Sequence, residues 1–150
     1  MNRLHLDSFL PYRLSIASNR VSGVVAITYQ AMFGLRIPEW RLIAVLAEGD
    51  GATQQALGVA TRMDKVTVSR AAIALAERGL VDRLPNPGDQ RSHILSLSTA
   101  GRALYEQVAP KAIEMEARLF EGFDAGERKL LRSMLERLEA AAATLEHEQG

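Results

Sequence analysis

The chain has 150 residues, 47% of them apolar and 24% charged, and its 18 Lys/Arg balance 18 Asp/Glu; this globular composition excludes wholesale disorder, and the zero net charge excludes attachment to nucleic acid by bulk charge alone. It has no cysteine, which excludes a disulfide framework, a thiolate zinc site and a thiol redox switch. The longest apolar runs have six residues, against the roughly 20 that a membrane helix needs, and no signal peptide is evident, so one soluble, cytoplasmic domain is expected.

From Leu10 the apolar residues Leu14, Ala17, Val21 and Val24 recur at helical spacing, with Pro11 in the first turn and Gly34 as a left-handed stop. Pro38 is expected to open a second helix carrying Trp40, Leu42, Val45 and Leu46, with Ile37 standing where a capping hydroxyl is usual. Gly49-Asp50-Gly51 closes it. Thr53 caps a short third helix from Gln54 to about Thr61, with Leu57 facing inward. After Arg62-Met63-Asp64 a fourth helix begins, capped by Asp64 and ended by Gly79, with Val68, Ala72 and Leu75 on one face. Two short helices joined by a tight turn make a helix-turn-helix unit.

The period then changes from 3.6 to 2. Residues 80–84 and 93–97 read as strands, and Pro85-Asn86-Pro87-Gly88-Asp89-Gln90-Arg91 between them as a turn. Ser98 caps a fifth helix running to about Gly122, with a kink expected at Pro110. Asp124 and Glu127 form a capping box for a sixth, whose Leu131, Leu135, Leu138, Ala142 and Leu145 make a stripe suited to a partner helix. The fold is therefore mainly α with a small two- or three-stranded β-wing.

The segments from Asp64 to Arg70 and from Glu77 to Arg83 resemble the recognition helix and first wing strand of the MarR family. Asp89-Gln90-Arg91 followed by Leu95-Ser96-Leu97-Ser98-Thr99-Ala100-Gly101 resembles its wing signature, and Gly34-Leu35 with Pro38-Glu39-Trp40-Arg41 its second-helix start. Ile37 and Ser98 depart from the family's commoner residues, but only at helix caps. The resemblance implies one domain over residues 1–150: a winged helix-turn-helix lobe at about 36–98, and dimerisation helices at about 6–33 and 99–147. It implies a homodimeric transcription factor, usually a repressor released from its DNA operator by a small ligand. The cysteine-free sequence does not fit the family's thiol-based peroxide sensors.

The physical chemistry of the residues agrees. Residues 62–93 hold six Lys/Arg against four Asp/Glu, whereas residues 106–150 hold six against ten, so an anionic partner should approach the middle. Small residues at Thr67, Ser69 and Ala71 would let the fourth helix approach a major groove closely. Arg70 can donate two bonds to guanine or phosphate, and Lys65 suits phosphate. Arg91, at the hairpin tip, is placed for a minor groove, with Asp89 holding it extended. A solvated polar face is the plainer reading of this helix alone; the tight turn before it and the hairpin after it favour DNA.

The resemblance places an effector site between the dimer layer and the DNA-binding lobe, near Tyr12, Arg13, Ala17 and Trp40. The stretch from Phe9 to Ser15 is similar to a subgroup connected with aromatic-acid catabolism. Arg13 or Arg36 could then meet a carboxylate, or both are ordinary surface residues. His5, His93 and His147 lack the spacing of a metal site, no grouping of nucleophile, base and acid suggests an enzyme, and no cofactor is expected. The competing function is a winged-helix module that binds protein rather than sequence-specific DNA, supported by the neutral charge.

Overall fold

The computed structural model describes residues 2–150. A 3-10 turn at Leu6–Ser8 precedes helix α1, Leu10–Phe33. Gly34, at φ 62°, ends it: its N–H donates to the Gln30 carbonyl at 3.0 Å, and the Leu35 N–H reaches back to Tyr29 at 3.2 Å. Helix α2, Ile37–Ala47, starts one residue earlier than Pro38, so Ile37 lies in the first turn and is not the cap. Glu39, at the third position of the helix, accepts the Arg36 N–H at 3.0 Å, the half of a capping box that the acidic residue supplies.

A two-residue strand, β1 (Ala52–Thr53), leads into α3, Gln54–Thr61, and then α4, Lys65–Glu77. Strands β2 (Val81–Pro85) and β3 (His93–Leu97) complete an antiparallel sheet of order β1-β3-β2, with Ala52 opposite Leu95 and Val81 opposite Leu97. β2 begins one residue later than the alternation suggested. Leu80 is occupied in ending α4, donating its N–H to the Leu75 carbonyl at 2.9 Å.

Helix α5, Thr99–Leu119, continues through Pro110. Its start is joined to the sheet by Ser98. That residue's N–H donates to the Leu80 carbonyl at 3.1 Å, and its hydroxyl donates to the Gly79 carbonyl at 2.6 Å while accepting the Gly101 N–H at 3.0 Å. Gly101 is buried, and only a glycine fits there, because a Cβ would collide with the Leu80 carbonyl.

The residues up to Ala112 form one compact unit and Ile113–Gly150 a second. The first has a continuous apolar core in which Leu35, Leu42, Ile43, Leu57, Leu75, Leu95 and Val108 are wholly buried. Burying a leucine contributes about 1.5–3 kcal/mol, so this core fixes where the short helices and the sheet sit. The second unit contains helix α6, Ala125–Gln149, opened by a reciprocal cap. Glu127 donates its N–H to the Asp124 carboxylate at 2.8 Å, and Asp124 donates its own to Glu127 at 3.0 Å. No residue of α6 is fully buried, and Leu135, Leu138 and Leu145 are exposed.

Candidate nucleic-acid interface

Helices α3 and α4 are set by two caps and one left-handed residue. Thr53 accepts the Ala56 N–H at 3.1 Å, and Arg62, at φ 56°, turns the chain out of α3 without a glycine. Asp64 accepts the Thr67 N–H at 2.8 Å and the Thr67 hydroxyl at 2.9 Å. These two bonds, the backbone one foremost, hold the Asp64 carboxyl below its ordinary pKa. The N-terminal end of α4 is thereby fixed, and the Thr67 hydroxyl proton is already committed.

The core then sets the phase of α4. Val68, Ala71, Ala72 and Leu75 are buried, so Lys65, Val66 and Arg70 face solvent, with Thr67 and Ser69 half-buried beside them. Ala71 therefore belongs to the core, contrary to the expectation that it helps the helix approach a groove. Its Cβ lies on the stripe shared with Val68 and Leu75, three before and four after it. The groove between α3 and α4 is lined by Gln54, Gln55, Val59, Met63 and Lys65 among others. The two glutamines were not singled out from the sequence, although their place in the first turn after the Thr53 cap exposes them to whatever α4 meets.

At the wing, Asp89 accepts the backbone N–H of Arg91 at 2.9 Å, and Arg91 is exposed. The aspartate thus shapes the turn through the backbone, where side-chain buttressing was expected. Asn86 adds to the same turn: its carbonyl oxygen accepts the Gly88 N–H at 3.1 Å and its amide donates to the Ser92 hydroxyl at 2.9 Å. Asn and Asp favour such local bonds, and here they constrain a tip that would otherwise be a loose loop.

The C-terminal end of α4 is tied to α1. Arg78 donates to the Gly34 carbonyl at 3.0 Å and the Phe33 carbonyl at 3.2 Å, placing a cation on the free carbonyls of a helix C-terminus. Nearby, Trp40 stacks on Tyr105 at 5.9 Å and tilts against Tyr29 at 5.5 Å. Burial pushes the Tyr29 hydroxyl pKa up. Val21, Ser22, Val25, Tyr29, Ile37, Trp40 and Arg41 line an open cleft of about 250 Å³ beside these rings.

Of the residues assigned to an effector site from the sequence, only Trp40 lines this cleft. Tyr12, Arg13 and Ala17 lie earlier on α1, where Arg13 donates to the Asp7 carbonyl at 3.3 Å, and Arg36 precedes α2. The cation in the cleft is Arg41. Helical spacing could have found it, since Ile37, Trp40 and Arg41 are three and four residues apart. Among the described residues no group of three His, Cys, Asp or Glu could hold a metal ion, and no helix is long and apolar enough to cross a membrane.

A sequence profile of the MarR family matches residues 33–92, which spans α2, α3, α4 and most of the wing. A MarR/EmrR family transcriptional regulator from Acinetobacter sp. ADP1 is 26% identical, with 94% of this chain and 99% of that one superposed at a TM-score of 0.85. The HTH-type transcriptional repressor NicR of Pseudomonas putida is 32% identical over 98 residues, 63% of this chain and 62% of NicR. BpsR of Bordetella bronchiseptica, whose DNA binding is regulated by 6-hydroxynicotinic acid, is 22% identical and shares the fold at a TM-score of 0.86 over 92% of this chain and 98% of its own. With the helix-turn-helix, the three-stranded wing and the long flanking helices in place, the chain belongs to the MarR family of winged-helix transcriptional regulators.

Proposed function

We propose that the protein is a homodimeric, ligand-responsive repressor that works in the cytoplasm, binding an inverted-repeat operator in double-stranded DNA. The observation that carries this reading is the exposed face of α4, where Lys65 and Arg70 flank small polar residues on a helix clamped at its first turn by Asp64. In this reading Arg70 contacts a base edge or phosphate, Lys65 a phosphate, and Thr67 and Ser69 allow close approach. Arg91, on a wing tip shaped by Asp89, enters the neighbouring minor groove. The apolar stripes on α1 and α6 supply the dimer contacts.

The effector in this reading is an aromatic acid or its thioester, and the cleft beside Trp40 takes the ring. Tyr29 and Trp40 offer aromatic faces, and Arg41 a bidentate donor for a carboxylate. The regulation of BpsR by 6-hydroxynicotinic acid supports the same ligand class. To release DNA, the acid must bind the DNA-incompetent dimer more tightly than the competent one, because equal affinity shifts nothing.

Selecting bound fragments from random duplex DNA tests the first part. An inverted repeat is expected, with half-sites about 34–36 Å apart and affinity falling steeply with salt. Absence of any enriched duplex would favour a winged module that binds protein. Titrating aromatic acids and thioesters while following Trp40 fluorescence and operator release tests the second. Silence from the whole panel, with release by an unrelated compound, would overturn the effector class.

A further inference from the structure

Val66 is 57% exposed although its neighbour two residues on, Val68, is 1% exposed and packs in the core. A β-branched residue in a helix loses side-chain freedom, and an exposed one recovers nothing by burial within its own chain. Val66 lies at the second position of α4, between Lys65 and Thr67, and one turn before Arg70 on the same face. Its two methyl groups therefore sit at the front of a cationic helix face, where an anionic duplex would be drawn against them. The feature in a major groove that matches an apolar, methyl-sized contact is the 5-methyl group of thymine, which no other DNA base carries.

We propose that Val66 is a specificity-determining residue that reads the 5-methyl group of one thymine in each operator half-site. The inference rests on the DNA-binding reading above, and goes beyond it by naming a hydrophobic reader among the polar ones. Hydrogen-bonding side chains distinguish donors from acceptors; a valine distinguishes thymine from every base that lacks the methyl.

Deoxyuridine provides the test, because it pairs as thymine does and lacks only that methyl. The operator is first obtained by selection with the full-length dimer, and each thymine of the half-site is then replaced by deoxyuridine in turn. At one position the wild-type protein should lose roughly fourfold in affinity for each half-site changed, the loss expected when about one buried methyl is removed. Val66→Ala should bind the thymine operator as weakly as the wild type binds the deoxyuridine one, and should itself be indifferent to the replacement. Val66→Thr, which keeps one methyl and the branching at Cβ, should retain part of the discrimination, and circular dichroism of both variants should match the wild type.

A penalty of equal size in wild type and Val66→Ala overturns the inference, since the methyl would then be felt by another residue or through DNA shape. So does a wild type indifferent to deoxyuridine at every position. If selection enriches no duplex at all, the DNA-binding reading itself has failed and the role of Val66 falls with it.

Discussion

Helices α4 and α6 both carry regular apolar stripes, yet they spend them differently. In 13 residues α4 buries Val68, Ala71, Ala72 and Leu75, whereas α6, with 25 residues, buries none completely. Helix α1 resembles α6 in this respect: only Tyr29 is buried, while Leu10 and Ile27 are 77% and 72% exposed. A short helix in the winged lobe is thus specified by its own chain. A long terminal helix displays an exposed stripe, the surface that the dimer proposed above would cover.

The comparison breaks most sharply where a core leucine is removed. Leu75→Ala should destabilise the protein by about 2–5 kcal/mol, since the side chain is wholly enclosed and its neighbours cannot fully close the cavity. Chemical denaturation measures this directly. A loss below about 1 kcal/mol would mean that the lobe core repacks and does not specify α4.

Charge on the open stripe should act on assembly instead of folding. Leu138→Glu puts a carboxylate into the seam proposed for the dimer, where it has no partner and must be desolvated. Sedimentation at micromolar concentration should change from dimer to monomer while helical content is kept. A wild type that already sediments as a monomer would remove the reason for the stripe.

Much of this division was legible in the sequence, because periodicity reports which residues share a face and caps report where a helix starts. Thr53, Asp64, Ser98 and Asp124 were readable as caps, and each accepts the bond expected of it. What escaped depended on contacts distant in sequence or on phase. Arg78 reaches carbonyls 44 and 45 residues away, and no local pattern announces it. Tyr105 completes the Trp40 stack from another helix. Ala71 was misassigned because its small size fits both a groove-facing surface and a crowded core. Strand β1 has two residues, too few to show an alternation.

On the solvent face of α4 the expected effects concern DNA and are smaller. Arg70→Ala should cost about 1–3 kcal/mol on the operator and relax selection at one base pair if Arg70 makes a bidentate base contact. Lys65→Ala should weaken operator and random duplex alike, and lower the salt slope by about one unit. Arg91→Ala should matter most where the flanking sequence is A·T-rich and the minor groove narrow. Affinities across a salt series discriminate these roles. Equal losses on both DNAs for Arg70→Ala would make it an anchor rather than a reader.

The smallest effect lies at the cap that joins the buried and exposed faces of α4. The Asp64 carboxyl is held below its ordinary value of 3.8 by the Thr67 N–H and hydroxyl, so the folded state favours its ionised form. The unfolded chain has no such bonds and binds the proton more readily. The stabilisation is therefore complete above the unfolded value, and is lost as pH falls through the folded one. Asp64→Asn keeps an oxygen acceptor for the Thr67 N–H and a good capping residue, but cannot titrate. The difference in melting temperature between wild type and Asp64→Asn should be constant at neutral pH, then shrink as the pH falls below the ordinary carboxylate value of 3.8. Because Asp64 is exposed, salt should reduce that difference at neutral pH as well. A difference that stays flat down to the acid limit would show that the cap works through its geometry alone, with the charge of the carboxylate contributing nothing to the start of the recognition helix.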